Sequence, residues 1–149
     1  MHETHPKLLW VGHALDVREP RAVIDAGITA IIDLAYEEAV AQIPRSLTYC
    51  RFPLHDGGGN PPEQLVQVLR SATGFLRSGT PTMIACSAGL SRSPTVAAFA
   101  LAHHLRQTPE EVLTRIADVK ALEWNSELWS DMEAAAERFR SECRSGMNT

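Results

Sequence analysis

Long hydrophobic runs are missing from this chain. None approaches the ~20 apolar residues that a membrane-spanning helix needs, so no membrane partner is expected. Cysteine is scarce: Cys50, Cys86 and Cys143 are the only ones in 149 residues. Three separated cysteines make no disulfide framework, and the expected location is the cytoplasm, where Cys86 would stay reduced. The start, Met-His-Glu-Thr-His-Pro, lacks the apolar core of a signal peptide. An excess of positive charge is also lacking. Lys and Arg number 14 against 18 Asp and Glu, for a net charge of −4. That balance gives no general attraction to nucleic acid or to acidic membranes, so no nucleic-acid partner is expected. An anionic substrate would have to be held by local groups. Repeats and low-complexity blocks are absent as well. The hydrophobic fraction, 44%, is enough for a normal core. One domain over residues 1–149 is expected, monomeric, with short flexible polar tails at 1–6 and about 144–149.

Strand-like runs occur near 8–11, 28–34, 47–53 and 82–86. Helix-like periods occur near 20–26, 36–42, 62–77, 94–106, 109–119 and 125–142. Leu65, Val68, Leu69, Ala72, Phe75 and Leu76 form one apolar helical stripe. Asn60-Pro61-Pro62-Glu63 reads as a helix cap followed by N1, N2 and N3, and Thr108-Pro109-Glu110-Glu111 as a capping box. Strands alternating with helices, then a run of helices, predict an α/β fold. Its centre is a mostly parallel sheet of four to five strands flanked by helices.

The densest chemistry lies at Cys86-Ser87-Ala88-Gly89-Leu90-Ser91-Arg92-Ser93-Pro94. A buried strand precedes it and a helix follows. A loop from a strand end into a helix N-terminus aims backbone N–H groups and the positive end of a helix dipole at one point. Ser87, Ala88, Gly89, Leu90 and Ser91 can curl into an anion nest, and Arg92 can add a bidentate fork to two phosphate oxygens. Cys86 sits beneath as the nucleophile, in surroundings that favour a thiolate. Attack on phosphorus would give a phosphocysteine intermediate. Ser93 is placed to hydrogen-bond the departing thiolate. The plainer alternative is a buried structural cysteine before a Ser-Pro helix start.

An ester leaving group needs a proton. Asp56 ends an apolar strand and opens Gly57-Gly58-Gly59-Asn60-Pro61-Pro62. It is either the acid or an ordinary turn aspartate. The three glycines imply a mobile loop. Asp33 reads as a strand end and Asp118 as part of a solvated helix face. His55-Asp56, with His13 and Asp118, could form a metal pair and further ligands, but a pair ending a β-like run does not suit one. No metal and no cofactor is expected. His103-His104 reads as a solvated pair, and the three tryptophans as core or rim packing.

The loop resembles the Cys-x5-Arg-Ser/Thr phosphate-binding loop of the cysteine-dependent protein phosphatases, and the dual-specificity phosphatases most closely. Leu8 to Gly12, Ala26 to Leu34 and Tyr49 to Asp56 resemble further segments of that family, so the likeness covers roughly residues 8–140. It implies catalytic roles for Cys86, Arg92, Asp56 and Ser93, with Asp56 as general acid and then base. It implies a phosphorylated protein or small phosphomonoester as partner, phosphotyrosine first and phosphoserine or phosphothreonine with it. One position departs from the family: Ala85 stands where a histidine would shape the loop and support the thiolate. Asn125 resembles a family asparagine that braces the site, and reads equally well as a helix cap. Two rival readings stand beside the phosphatase. One is a pseudophosphatase that binds phosphate without turnover, favoured by Ala85. The other is a rhodanese-like sulfurtransferase, whose opening motif Asp16-Val17-Arg18-Glu19-Pro20 resembles. That stretch otherwise reads as a loop into a helix.

Overall fold

A computed structural model describes residues 1–147. Its centre is β5 (Thr82–Cys86), every residue of which is buried. A short, uninterrupted apolar run of this kind suits a strand covered on both faces. It pairs in parallel with β2 (Leu9–His13) on one side and with β3 (Ala30–Ala35) on the other. β3 pairs in parallel with β4 (Thr48–Leu54), and β1 (His2–His5) runs antiparallel along β2. The order is β1-β2-β5-β3-β4, five strands, as expected of a mostly parallel α/β sheet.

The two-residue period of β5 sorts its side chains. Met83 and Ala85 face one layer with Trp10, Ile31, Val17 of α1 (Ala14–Arg18) and Val23 of α2 (Pro20–Asp25). Ile84 and Cys86 face the other layer, the larger core. That core takes in α3 (Pro62–Arg77), α4 (Arg92–Leu105), α5 (Pro109–Val119) and α6 (Ser126–Met147). α4 is buried without interruption from Arg92 to Ala102 and touches α3, α5, α6 and β5. A helix apolar on all sides belongs in such a central place. The α3 stripe faces the core as predicted, with Phe75 partly covered. The Thr108–Glu111 capping box is present at the start of α5.

Several expectations are corrected. Residues 2–5 are a strand, not a frayed tail: the backbone of β1 completes the edge of β2, a pairing that polar side chains do not prevent. Residues 144–147 continue α6, and 148–149 lie outside the described residues. The Asp16 stretch forms α1, because the Asp16 carboxylate accepts the His13 N–H at 3.0 Å. No helix forms over 36–42. Arg51 draws the carbonyls of Ala35, Tyr36 and Glu38 to its Nη2, at 3.3, 3.5 and 3.0 Å, so they do not enter a helical ladder. Asn60 does not cap α3. Its side chain is turned back into the preceding loop. α4 begins at Arg92, two residues before Pro94.

Candidate active site

The parallel strands deliver their C-terminal ends to one place, where open α/β sheets hold their sites. β5 ends on Cys86, in register with His13 of β2. β4 ends at Leu54, two residues before Asp56, and β3 at Ala35, two before Glu37.

The loop from Cys86 to Arg92 turns its carbonyls outward. Ser87 O accepts from Ala14 N at 3.1 Å, Leu90 O from Glu123 N at 2.8 Å and Ser91 O from Thr95 N at 3.1 Å. Gly89 O accepts from Lys120 Nζ. Among the described residues, the N–H groups of Ala88 to Arg92 have no backbone or side-chain acceptor. They are therefore available to one anion, as a nest requires. Gly89 is obligatory here. Its φ is +72°, and an added Cβ would lie 2.9 Å from the carbonyl oxygen of Gly12.

Cys86 is 2% exposed, and its Sγ lies 3.2 Å from Ser93 Oγ. Ser93 is fully buried and also reaches Gly12 O at 3.4 Å. The expected neighbours of the thiol are therefore brought together.

Arg92 is 4% exposed. Its Nη1 donates to Leu54 O and to Glu37 Oε2, both at 2.8 Å, and its Nη2 donates to Glu37 Oε1. Hydrogen bonds from Arg92 hold the Glu37 carboxyl at about 2. Burial opposes the Arg92 cation. The Glu37 hydrogen bonds, with the charges of Cys86, Glu37 and Asp56, outweigh it and raise the pKa. Arg92 Nε is buried and has no partner in the protein, and the same holds for Ser91 Oγ. Buried donors seldom stay unpaired. Glu37 thus takes the end of the guanidinium, and the Nε edge is left as a fork.

Glu37 and Glu38, which no sequence motif singles out, also meet the loop. Glu38 accepts from Ser87 Oγ at 2.6 Å and pairs with Arg18. The available signal was two acids just past the C-terminal end of a parallel strand. Lys120 is another such residue. It follows α5, donates to Ala121 O at 2.9 Å, and braces the loop through Gly89. Burial lowers its pKa, and the nearby Cys86 opposes that shift.

Asp56 is exposed, and Arg92 reaches back to its strand at Leu54. Its loop is tied on both sides by hydrogen bonds. Asn60 is 4% exposed. Its Oδ1 accepts from His55 N at 2.8 Å, and its Nδ2 donates to His55 O and Gly57 O at 3.0 and 3.3 Å. Gly58 N and Gly59 N donate to Glu127 and Asp131 of α6. Asn125 fills both roles considered for it. Its Oδ1 caps α6 at Leu128 N, 3.0 Å away, and its Nδ2 donates to Asp56 O at 3.4 Å.

Other candidates lie apart from the loop. Asp118 is exposed on α5, and His103 and His104 are exposed on α4. Asp33 lies within β3, not at its end, and binds Tyr49 OH and Ala35 N. Trp10 and Trp129 are buried, and Trp124 is exposed against Trp129, ring centroids 4.7 Å apart. Among the described residues no cluster of three His, Cys, Asp or Glu is placed to hold a metal ion. No helix there is long and apolar enough to cross a membrane.

The fold is that of the dual-specificity phosphatases. Human DUSP28 matches with a TM-score of 0.81 at 19% identity, over 95% of this chain and 99% of that one. Human tyrosine phosphatase-like serine/threonine/tyrosine-interacting protein matches at 0.79 and 16%, over 94% and 97%. PTPMT1 in complex with PI(5)P matches at 0.73 and 17%, over 95% and 97%. No family model and no curated protein matches the chain. At these identities the likeness is one of fold.

Proposed function

We propose that this protein is a cysteine-dependent phosphatase of the dual-specificity type, hydrolysing phosphomonoesters through a phosphocysteine intermediate. The observation that carries this reading is the unpaired Nε edge of Arg92 beside a buried cysteine and a loop of unpaired amides. Three phosphoryl oxygens fit that arrangement.

In the first step the Cys86 thiolate attacks phosphorus and the ester P–O bond breaks. Asp56 gives its proton to the leaving oxygen. Arg92 and the amides hold the equatorial oxygens as charge develops. In the second step Asp56 takes a proton from water, which attacks phosphorus. The S–P bond breaks, inorganic phosphate leaves, and Ser93 Oγ stabilises the thiolate. Lys120 supplies the support to the loop that Ala85 cannot. The loop interior, Ser87 to Ser91, carries no lysine to meet a further phosphate. That favours a phosphotyrosine-type substrate over an inositol phosphate. The exposed rings of Tyr36 and Trp124 stand next in sequence to Glu37 and Asn125, as a rim for such a substrate.

The test is turnover on a panel of phosphotyrosine, phosphoserine, phosphothreonine, phosphoinositide and RNA substrates, with tungstate binding in parallel. Wild type should hydrolyse phosphotyrosine, and Cys86→Ser should lose turnover while still binding tungstate. Full activity in Cys86→Ser would sink the covalent mechanism. Arg92-dependent tungstate binding without turnover of any substrate would install the binding-module reading, which Ala85 favours. Thiosulfate–cyanide transfer would install the sulfurtransferase.

A further inference from the structure

A cavity of about 710 Å³ opens on the helical side of the molecule, among the C-terminal halves of α3, α4 and α6. None of its lining residues belongs to the candidate active site. Its floor is apolar: Leu69, Phe99, Ala102, Ala136 and Phe139. Its rim carries Arg77, Arg106, Arg140 and Arg144, and no acidic residue lines it.

Elsewhere, Arg18, Arg70, Arg92 and Arg138 pair with glutamates. Arg51 and Arg115 bind carbonyl oxygens. Among the described residues, Arg77, Arg106, Arg140 and Arg144 have no ion-pair or hydrogen-bonding partner, although acids outnumber bases in the sequence. Arg21 and Arg45 also have no partner among the described residues; what sets these four arginines apart is that they share the rim of one cavity. His103 packs at a tilt against Phe139, ring centroids 5.0 Å apart, beside these arginines. Burial lowers its pKa first, and Arg140 and Arg77 lower it further.

Helix C-termini attract cations, which is the competing explanation. Three helix ends together supply about −1.5 elementary charges. Four guanidiniums exceed that, so the rim stays net positive. An apolar floor under a positive rim, at a volume in the ordinary range for small-molecule sites, fits one chemistry. We propose that this cavity binds a small amphiphilic anion, with its apolar body on Phe99 and Phe139 and its carboxylate or phosphate head on Arg77 and Arg140. The site stands apart from the phosphatase reading and does not depend on it.

The probe is monomeric laurate, below its micelle threshold, titrated into the labelled protein and followed by amide and methyl NMR shifts. Neutral dodecanol and acetate are the comparison arms. Saturable shifts at Thr73, Ala102 and Cys143 are expected, with dodecanol weaker and acetate silent. Arg77→Glu/Arg140→Glu, on exposed positions, should weaken laurate by about tenfold or more. Ala136→Phe should block it by filling the floor. Turnover of an aryl phosphate should be unchanged in the arginine variants. Shifts confined to the Cys86 loop, equal binding of dodecanol, or indifference to charge reversal would overturn the proposal. Binding only to acidic vesicles, or only to an acidic peptide, would overturn it in favour of a macromolecular surface.

Discussion

Glu37 grips Arg92 by the end of its guanidinium, through Nη1 and Nη2, and leaves the Nε edge unpaired and buried. The contact orients a flexible side chain whose useful fork is the other edge. Glu37 is half exposed, whereas Arg92 is buried. The acid therefore costs little desolvation, and the arginine gains a fixed partner.

Glu37→Gln should lower kcat/KM on an aryl phosphate by about 10–10²-fold, since a charge-assisted hydrogen bond contributes ~1.5–3 kcal/mol. The Glu37 carboxyl lies at about 2, below its unfolded value, so its contribution is present above the ordinary carboxylate range and is lost as pH falls toward about 2. The ratio of wild type to variant should stay constant across about pH 5–7 and the melting temperatures should converge near about pH 2. Steady-state kinetics and thermal melts check both. A ratio that changes through neutrality would assign the orienting role elsewhere.

Asp56→Asn should slow hydrolysis of phosphotyrosine by about 10²–10⁴-fold and affect esters of acidic phenols much less. Asp118→Asn should be silent, because Asp118 stands exposed on α5. A reversed pattern in a leaving-group series would move the acid to α5.

Lys120→Met should slow alkylation of Cys86 by iodoacetamide at neutral pH, and it should lower kcat. Lys120→Arg should restore part of both, because another cation can reach Gly89 O. Equal alkylation rates in all three proteins would remove Lys120 from thiolate support. Placing a histidine before Cys86 with Ala85→His is a poor alternative. Ala85 is fully buried against the α1–α2 layer. The ring should overpack it and cost ~1–3 kcal/mol in denaturant unfolding.

Asn60→Ala should free the Asp56 loop. Hydrogen exchange at His55 and Gly57 should accelerate, and kcat should fall more for poor leaving groups than for good ones. Losing the three hydrogen bonds of the buried Asn60 side chain should also cost ~1–3 kcal/mol of stability. Unchanged exchange would mean that Glu127 and Asp131 hold the loop by themselves.

Most strand and helix periods, the capping box at Thr108 and the strand–loop–helix around Cys86 were legible in the amino-acid order. Each is local: a few consecutive residues set the backbone, and the side chains at fixed spacing follow it. The strand–loop–helix context of Cys86 also follows from neighbours in the chain. Other features depended on partners far along the sequence. β1 forms because β2 has an open edge. Residues 36–42 stay irregular because Arg51 claims their carbonyls. The glycines after Asp56 are held because Asn60 turns inward and α6 reaches them. Glu37 and Lys120 meet the loop from positions 55 residues before Arg92 and 31 after Gly89. Short-range periodicity carries no record of such pairings, because a side chain's partner is chosen by packing, after strands and helices have been brought together. The order of residues determined the strand–loop–helix around Cys86; only the tertiary structure decided which acid grips Arg92 and which lysine braces Gly89.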